Sequence, residues 1–79
     1  MAKKPRTIDD VTAALRAEGF PVELVKGEGY LYFTYDDPAR NVWESHSIYV
    51  PFFKSLSVDK WMEEGRAFAI KVRDQHNIA

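Results

Sequence analysis

The chain has 79 residues, eleven basic and twelve acidic side chains, no cysteine and 14% aromatic residues. That length allows one domain. The missing cysteine excludes disulfides, thiolate metal sites and thiol nucleophiles, and the near-neutral balance lacks the basic excess of a dedicated duplex binder.

No apolar run approaches the ~20 residues of a membrane span. The basic start, Met1-Ala2-Lys3-Lys4-Pro5-Arg6, lacks the apolar stretch of a signal peptide. The expectation is a soluble cytoplasmic protein, with residues 1–6 as a disordered basic tail and residues 7–79 as a single domain. A core this small supplies only ~3–5 kcal/mol and has no staple to add to it.

Thr7-Ile8-Asp9-Asp10 sets a hydroxyl at a helix N-cap with carboxylates in the first turn. Ile8, Val11 and Leu15 then recur at helical spacing. Gly19 stands where a left-handed C′ residue belongs, Phe20 supplies the apolar contact that accompanies it, and Pro21 prevents continuation. The spacing predicts a helix from Ile8 to about Glu18.

Val22 to Lys26 reads as a short strand, and Gly27-Glu28-Gly29 as the turn of a hairpin. A phosphate cradle would need a helix after those glycines, whereas a strand follows. That strand, Tyr30-Leu31-Tyr32-Phe33-Thr34-Tyr35-Asp36, is rich in aromatic and β-branched residues and is expected at the centre of the sheet. Alternation turns Leu31, Phe33 and Tyr35 one way and Tyr30, Tyr32 and Thr34 the other. Asp36 and Asp37 read as turn formers with Pro38, in a polar loop ending near Asn41.

A third strand is predicted from Val42 to Val50, ended by Pro51. If Ile48 and Val50 enter the core with Leu31 and Phe33, then Trp43 and Tyr49 join Tyr30 and Tyr32 on the opposite face. A one-residue slip or a bulge would send Trp43 and Tyr49 inward instead. Phe52, Phe53 and Leu56 form an apolar connection. Ser57 is the second N-cap, with Leu56 and Trp61 spaced as a hydrophobic staple. Val58, Trp61, Met62, Phe68, Ala69 and Val72 define the buried side of a helix from Val58 to about Gln75, with Gly65 on that side and Ile70 away from it.

The element order gives an α+β fold class, α-β-β-β-α, with a three-stranded antiparallel sheet and two helices packed on one face. This order resembles double-stranded-RNA-binding domains. Their basic last helix has no counterpart here, since Asp59, Glu63 and Glu64 offset Lys60 and Arg66. Gly27-Glu28-Gly29-Tyr30-Leu31-Tyr32-Phe33, Ile48-Tyr49-Val50-Pro51 and Trp61 to Arg66 resemble small uncharacterised proteins of phages, plasmids and other mobile elements. Thr7 to Phe33 and Trp61 to Phe68 are also similar to the first half of type III secretion chaperone-like domains, and that resemblance implies protein binding by a dimer.

Catalytic chemistry finds little support. His46 and His76 are the only histidines, no zinc-ligand spacing occurs, and no nucleophile is paired with a base. No cofactor, metal or small-molecule substrate is implied. The distinctive feature is the set Tyr30, Tyr32, Trp43 and Tyr49, expected together on an uncovered sheet face. Tyrosine and tryptophan are enriched at protein interfaces, so the expected role is protein interaction, with a second copy of the chain as the simplest cover and a different protein next. The alternatives are cross-strand packing within the chain and the stacking of single-stranded nucleic acid bases on the rings.

Overall fold

The computed structural model describes residues 6–78; of the expected basic tail, residues 1–5 lie outside that range. Helix α1 (Ile8–Ala17) is followed by strands β1 (Val22–Lys26), β2 (Leu31–Asp37) and β3 (Val42–Ile48) and by helix α2 (Val58–Gln75). The strands form one antiparallel sheet in the order β1-β2-β3, and the order α-β-β-β-α is the one the sequence predicts.

Both helix starts follow from their caps. Thr7 Oγ1 accepts the Asp10 N–H at 3.1 Å, and Ser57 Oγ accepts the Lys60 N–H at 3.1 Å. Arg6 is tied in as well, its N–H donating to Asp10 Oδ2 at 3.0 Å. Helix α1 ends one residue earlier than expected, with Glu18 as C-cap. Gly19 takes φ +92°, and Phe20 N–H reaches back to Leu15 O at 3.2 Å, which closes the left-handed terminus. Asn77, at φ 55°, does the same for α2, with Ile78 N–H donating to Arg73 O at 2.8 Å.

The core lies between the sheet and the two helices. Val22, Leu24, Leu31, Phe33, Tyr35 and Val42 meet Val11, Leu15, Trp61, Phe68, Ala69 and Val72, all buried. Gly65 is buried where α2 crosses α1 and β2. A Cβ built there would lie 2.5 Å from Leu15 Cδ1 and 3.1 Å from Phe33 Cε1, so a hydrogen is what the crossing accommodates. Trp61 is fully buried, donates Nε1–H to Phe53 O at 2.7 Å and stacks on the Phe53 ring at 5.8 Å. Arg66 grips Glu18 with two bonds of 2.6 and 2.7 Å and so joins the two helices.

The strand ends depart from the sequence reading. Asp36 and Asp37 continue β2, paired with Trp43 and Val42, and the reversal falls to a 3-10 turn at Pro38–Arg40 with Asn41 left-handed. Cross-strand bonding holds the two aspartates extended, and Asp37 takes Arg40 Nη1 at 2.9 Å. At the other end, Tyr30 precedes β2, and Tyr49 and Val50 follow β3.

Candidate interaction face

The register decides which side chains face away from the helices. Leu31 pairs with Ile48, Phe33 with His46 and Tyr35 with Glu44 on the helix side. Between them, Tyr32 pairs with Ser47, Thr34 with Ser45 and Asp36 with Trp43, and on β1 Glu23 and Val25 stand beside Thr34 and Tyr32. The open face carried by the strands is therefore Glu23, Val25, Tyr32, Thr34, Asp36, Trp43, Ser45 and Ser47. Its two charged side chains are both carboxylates.

The four aromatic residues divide into two places on this side of the molecule. Tyr30 lies 5.8 Å from Tyr32 and 6.1 Å from Tyr49 between ring centroids, which makes a tyrosine cluster at the hairpin end. Tyr30 also lies against Gly27, where an added Cβ would come within 2.8 Å of the Tyr30 ring. Tyr49 is 85% exposed. Trp43 is 62% exposed but stands four residues along β3 from Ser47, the neighbour of Tyr32, roughly 13 Å at strand rise. The structure thus brings Tyr30, Tyr32 and Tyr49 together and sets Trp43 apart. Beside Trp43 a shallow hollow is walled by Pro21, Glu23, Thr34 and Asp36, and at its rim Arg16 stands 3.7 Å from Glu23.

Other surface features were not foreseen from the sequence. Phe52 is 66% exposed in the connection to α2. His46 stacks on Phe68 at 5.8 Å, and His76 Nε2 meets Glu44 Oε2 at 2.9 Å, so both histidines lie between β3 and α2. Among the described residues no three His, Asp or Glu side chains gather as metal ligands, and no helix is long and apolar enough to cross a membrane. The Arg66 guanidinium, through its hydrogen bonds, holds the Glu18 carboxyl below its usual pKa. That pair ties the two helices together and lies apart from the open face.

No protein-family model, curated protein or solved structure matches the chain.

Proposed function

We propose that this protein is a small non-enzymatic interaction module that captures another protein on the open face of its sheet. The observation that carries the reading is the exposure of Tyr49 beside Tyr30 and Tyr32, and of Trp43 farther along β3, on a sheet face that neither helix covers. Rings of this kind give large contact area with little rotamer entropy to lose.

Charge selects among the occupants. Single-stranded nucleic acid would need cations to hold its phosphates, and the strands offer Glu23 and Asp36 instead. A second copy meeting this face with the same face would set like carboxylates near one another about the twofold axis. A different protein, apolar at its centre and basic at its rim, fits better. The mobile-element resemblance implies an accessory role for such a module.

The test is affinity capture from native-host lysate with the wild type and with the double variant Trp43→Ala, Tyr32→Ala. Neither side chain is in the buried core, so the variant should keep its circular dichroism spectrum and lose the captured protein. An unchanged set of captured proteins would refute the reading. Loss of binding to a single-stranded oligonucleotide, with steep salt dependence, would replace it with nucleic-acid binding.

A further inference from the structure

The two edges of the sheet are treated differently. Gly27 N–H donates to Tyr30 O at 2.8 Å and Asp36 N–H to Pro21 O at 3.1 Å. Main-chain groups alternate sides along a strand, so Tyr32 and Thr34 bond to β1, while Leu31, Phe33 and Tyr35 bond to β3. The outward groups of β1 then belong to Val22, Leu24 and Lys26. Two of these are occupied: Val22 N–H donates to Phe20 O at 2.9 Å, and Leu24 N–H to the buried Thr12 Oγ1 of α1 at 2.9 Å. On β3 the outward groups belong to Trp43, Ser45 and Ser47, and among the described residues nothing accepts their N–H groups. An unpaired edge of this kind is a template for another strand.

We infer that the β3 edge pairs with the β3 edge of a second copy, in the antiparallel register centred on Ser45, to give a six-stranded sheet. The sequence of β3, Val42-Trp43-Glu44-Ser45-His46-Ser47-Ile48, is self-complementary in that register. Ser45 meets Ser45, Trp43 meets Ser47, and these pairs exchange the outward main-chain bonds. Between them Glu44 meets His46, and Val42 meets Ile48, in the closer, non-hydrogen-bonded positions. Neighbouring registers are poorer. Centring on Glu44 opposes two carboxylates, and centring on His46 opposes two imidazoles and sets Glu44 against Ile48.

Helix α2 has the same self-complementarity. A groove of about 290 Å³ separates it from β3, lined by Ser45, His46, Glu64, Ala67, Phe68 and Lys71 among others. The twofold axis through Ser45 runs perpendicular to the sheet, so it sets the two α2 helices antiparallel across the joined grooves. Antiparallel pairing about Ala67 and Phe68 places Glu64 opposite Lys71 of the other copy. Lys71 has no ion-pair partner among the described residues, whereas Glu64 already meets Lys60 at 3.4 Å. Within one chain Glu44 is met by His76; a carboxylate accepts from more than one donor, which leaves room for His46 of the second copy.

The pairing has a consequence for the open face. Trp43 of one copy would stand beside Ser47 of the other, whose own neighbour is Tyr32. The isolated tryptophan of each chain would thereby adjoin the tyrosine cluster of its mate and form one aromatic patch from two chains.

Sedimentation velocity and light scattering on the full chain test this. The wild type should show twice the monomer mass at micromolar concentration. Ser45→Pro removes an outward N–H that the β2 ladder does not use and that an edge strand can lose; it should stay folded and become monomeric. His46→Glu should weaken the dimer by about tenfold or more, and adding Glu44→Lys should restore it by exchanging the charges. A wild type that remains monomeric, a folded Ser45→Pro that remains dimeric, or a charge exchange that restores nothing would each overturn the inference. If the monomer instead takes up an extended peptide that Ser45→Pro refuses, the edge belongs to a foreign strand and the second-copy assignment falls. Tyr32→Ala alone, on β2 and outside the paired edge, should weaken partner capture and keep the dimer mass, so failure of the partner reading and failure of this one appear in separate measurements.

Discussion

Glu18 and Arg66 lie 48 positions apart, and their two short bonds join the end of α1 to the middle of α2. Hydrogen bonding to the guanidinium lowers the Glu18 pKa, outweighing the upward push of burial. A carboxylate with a depressed folded-state pKa adds stability above its unfolded value, and that stability disappears as pH falls through the folded value. Both side chains are more than a third exposed, so solvent screening keeps the contribution within about 1 kcal/mol. Glu18→Gln should therefore lower the melting temperature slightly near pH 7, with the gap to wild type closing as pH drops through and below the ordinary carboxylate range. A gap that widened in acid would mean that folding favours the protonated Glu18, and no gap near pH 7 would mean that the pair adds nothing. Nothing local in the sequence announces this pair, nor the Thr12 hydroxyl that meets Leu24 across twelve residues. Their partners are set by how the helices dock. The caps Thr7 and Ser57 were legible because cap and capped N–H lie three residues apart.

At the scale of elements, periodicity conveys faces better than it conveys ends. Alternation placed Leu31, Phe33 and Tyr35 on one face, and the preference of the core for Ile48 and Val50 turned Trp43 outward, where the structure has it; alternation by itself left open the slip that would have buried Trp43. It did not show that the ladder stops at Ile48 or that it runs on through Asp37, since those limits depend on which main-chain groups find a partner across the sheet. The separation of Trp43 from the three tyrosines was hidden for a related reason: parity gives the side of a sheet but not the position along it. Helical spacing did better with Gly65, whose neighbours Leu15 and Phe33 leave no space for a side chain. Gly65→Leu should cost about 1–3 kcal/mol through overpacking, even though leucine is the better helix former by under ~1 kcal/mol. Chemical denaturation reads the difference directly, and a stabilised variant would mean that α2 can shift away from α1 at small cost.

For the molecule as a whole, the decisive asymmetry is in how each strand's amides are used. The extents of 34 × 33 × 17 Å fit one sheet with one layer of helices, and among the described residues no third layer shields the sheet. In β2 successive amides point alternately toward β1 and β3, the Asp36 amide reaching Pro21 O just before β1. In β1 the outward Leu24 amide is held by Thr12. In β3 alternate amides are held: Glu44 and His46 donate toward β2, whereas Trp43, Ser45 and Ser47 point to solvent in the single chain. Native-state hydrogen exchange should report this pattern, because protection follows the opening needed to expose each bonded amide. In dilute solution β2 should be protected throughout and β3 at alternate residues, with Trp43, Ser45 and Ser47 exchanging fast. Raising the protein concentration should slow those three and leave Glu44 and His46 little changed. Uniform protection along β3 in a chain shown to be monomeric would refute the alternation on which the edge pairing depends. Fast exchange at those three amides at all concentrations would leave the strand geometry standing and remove the second copy from it.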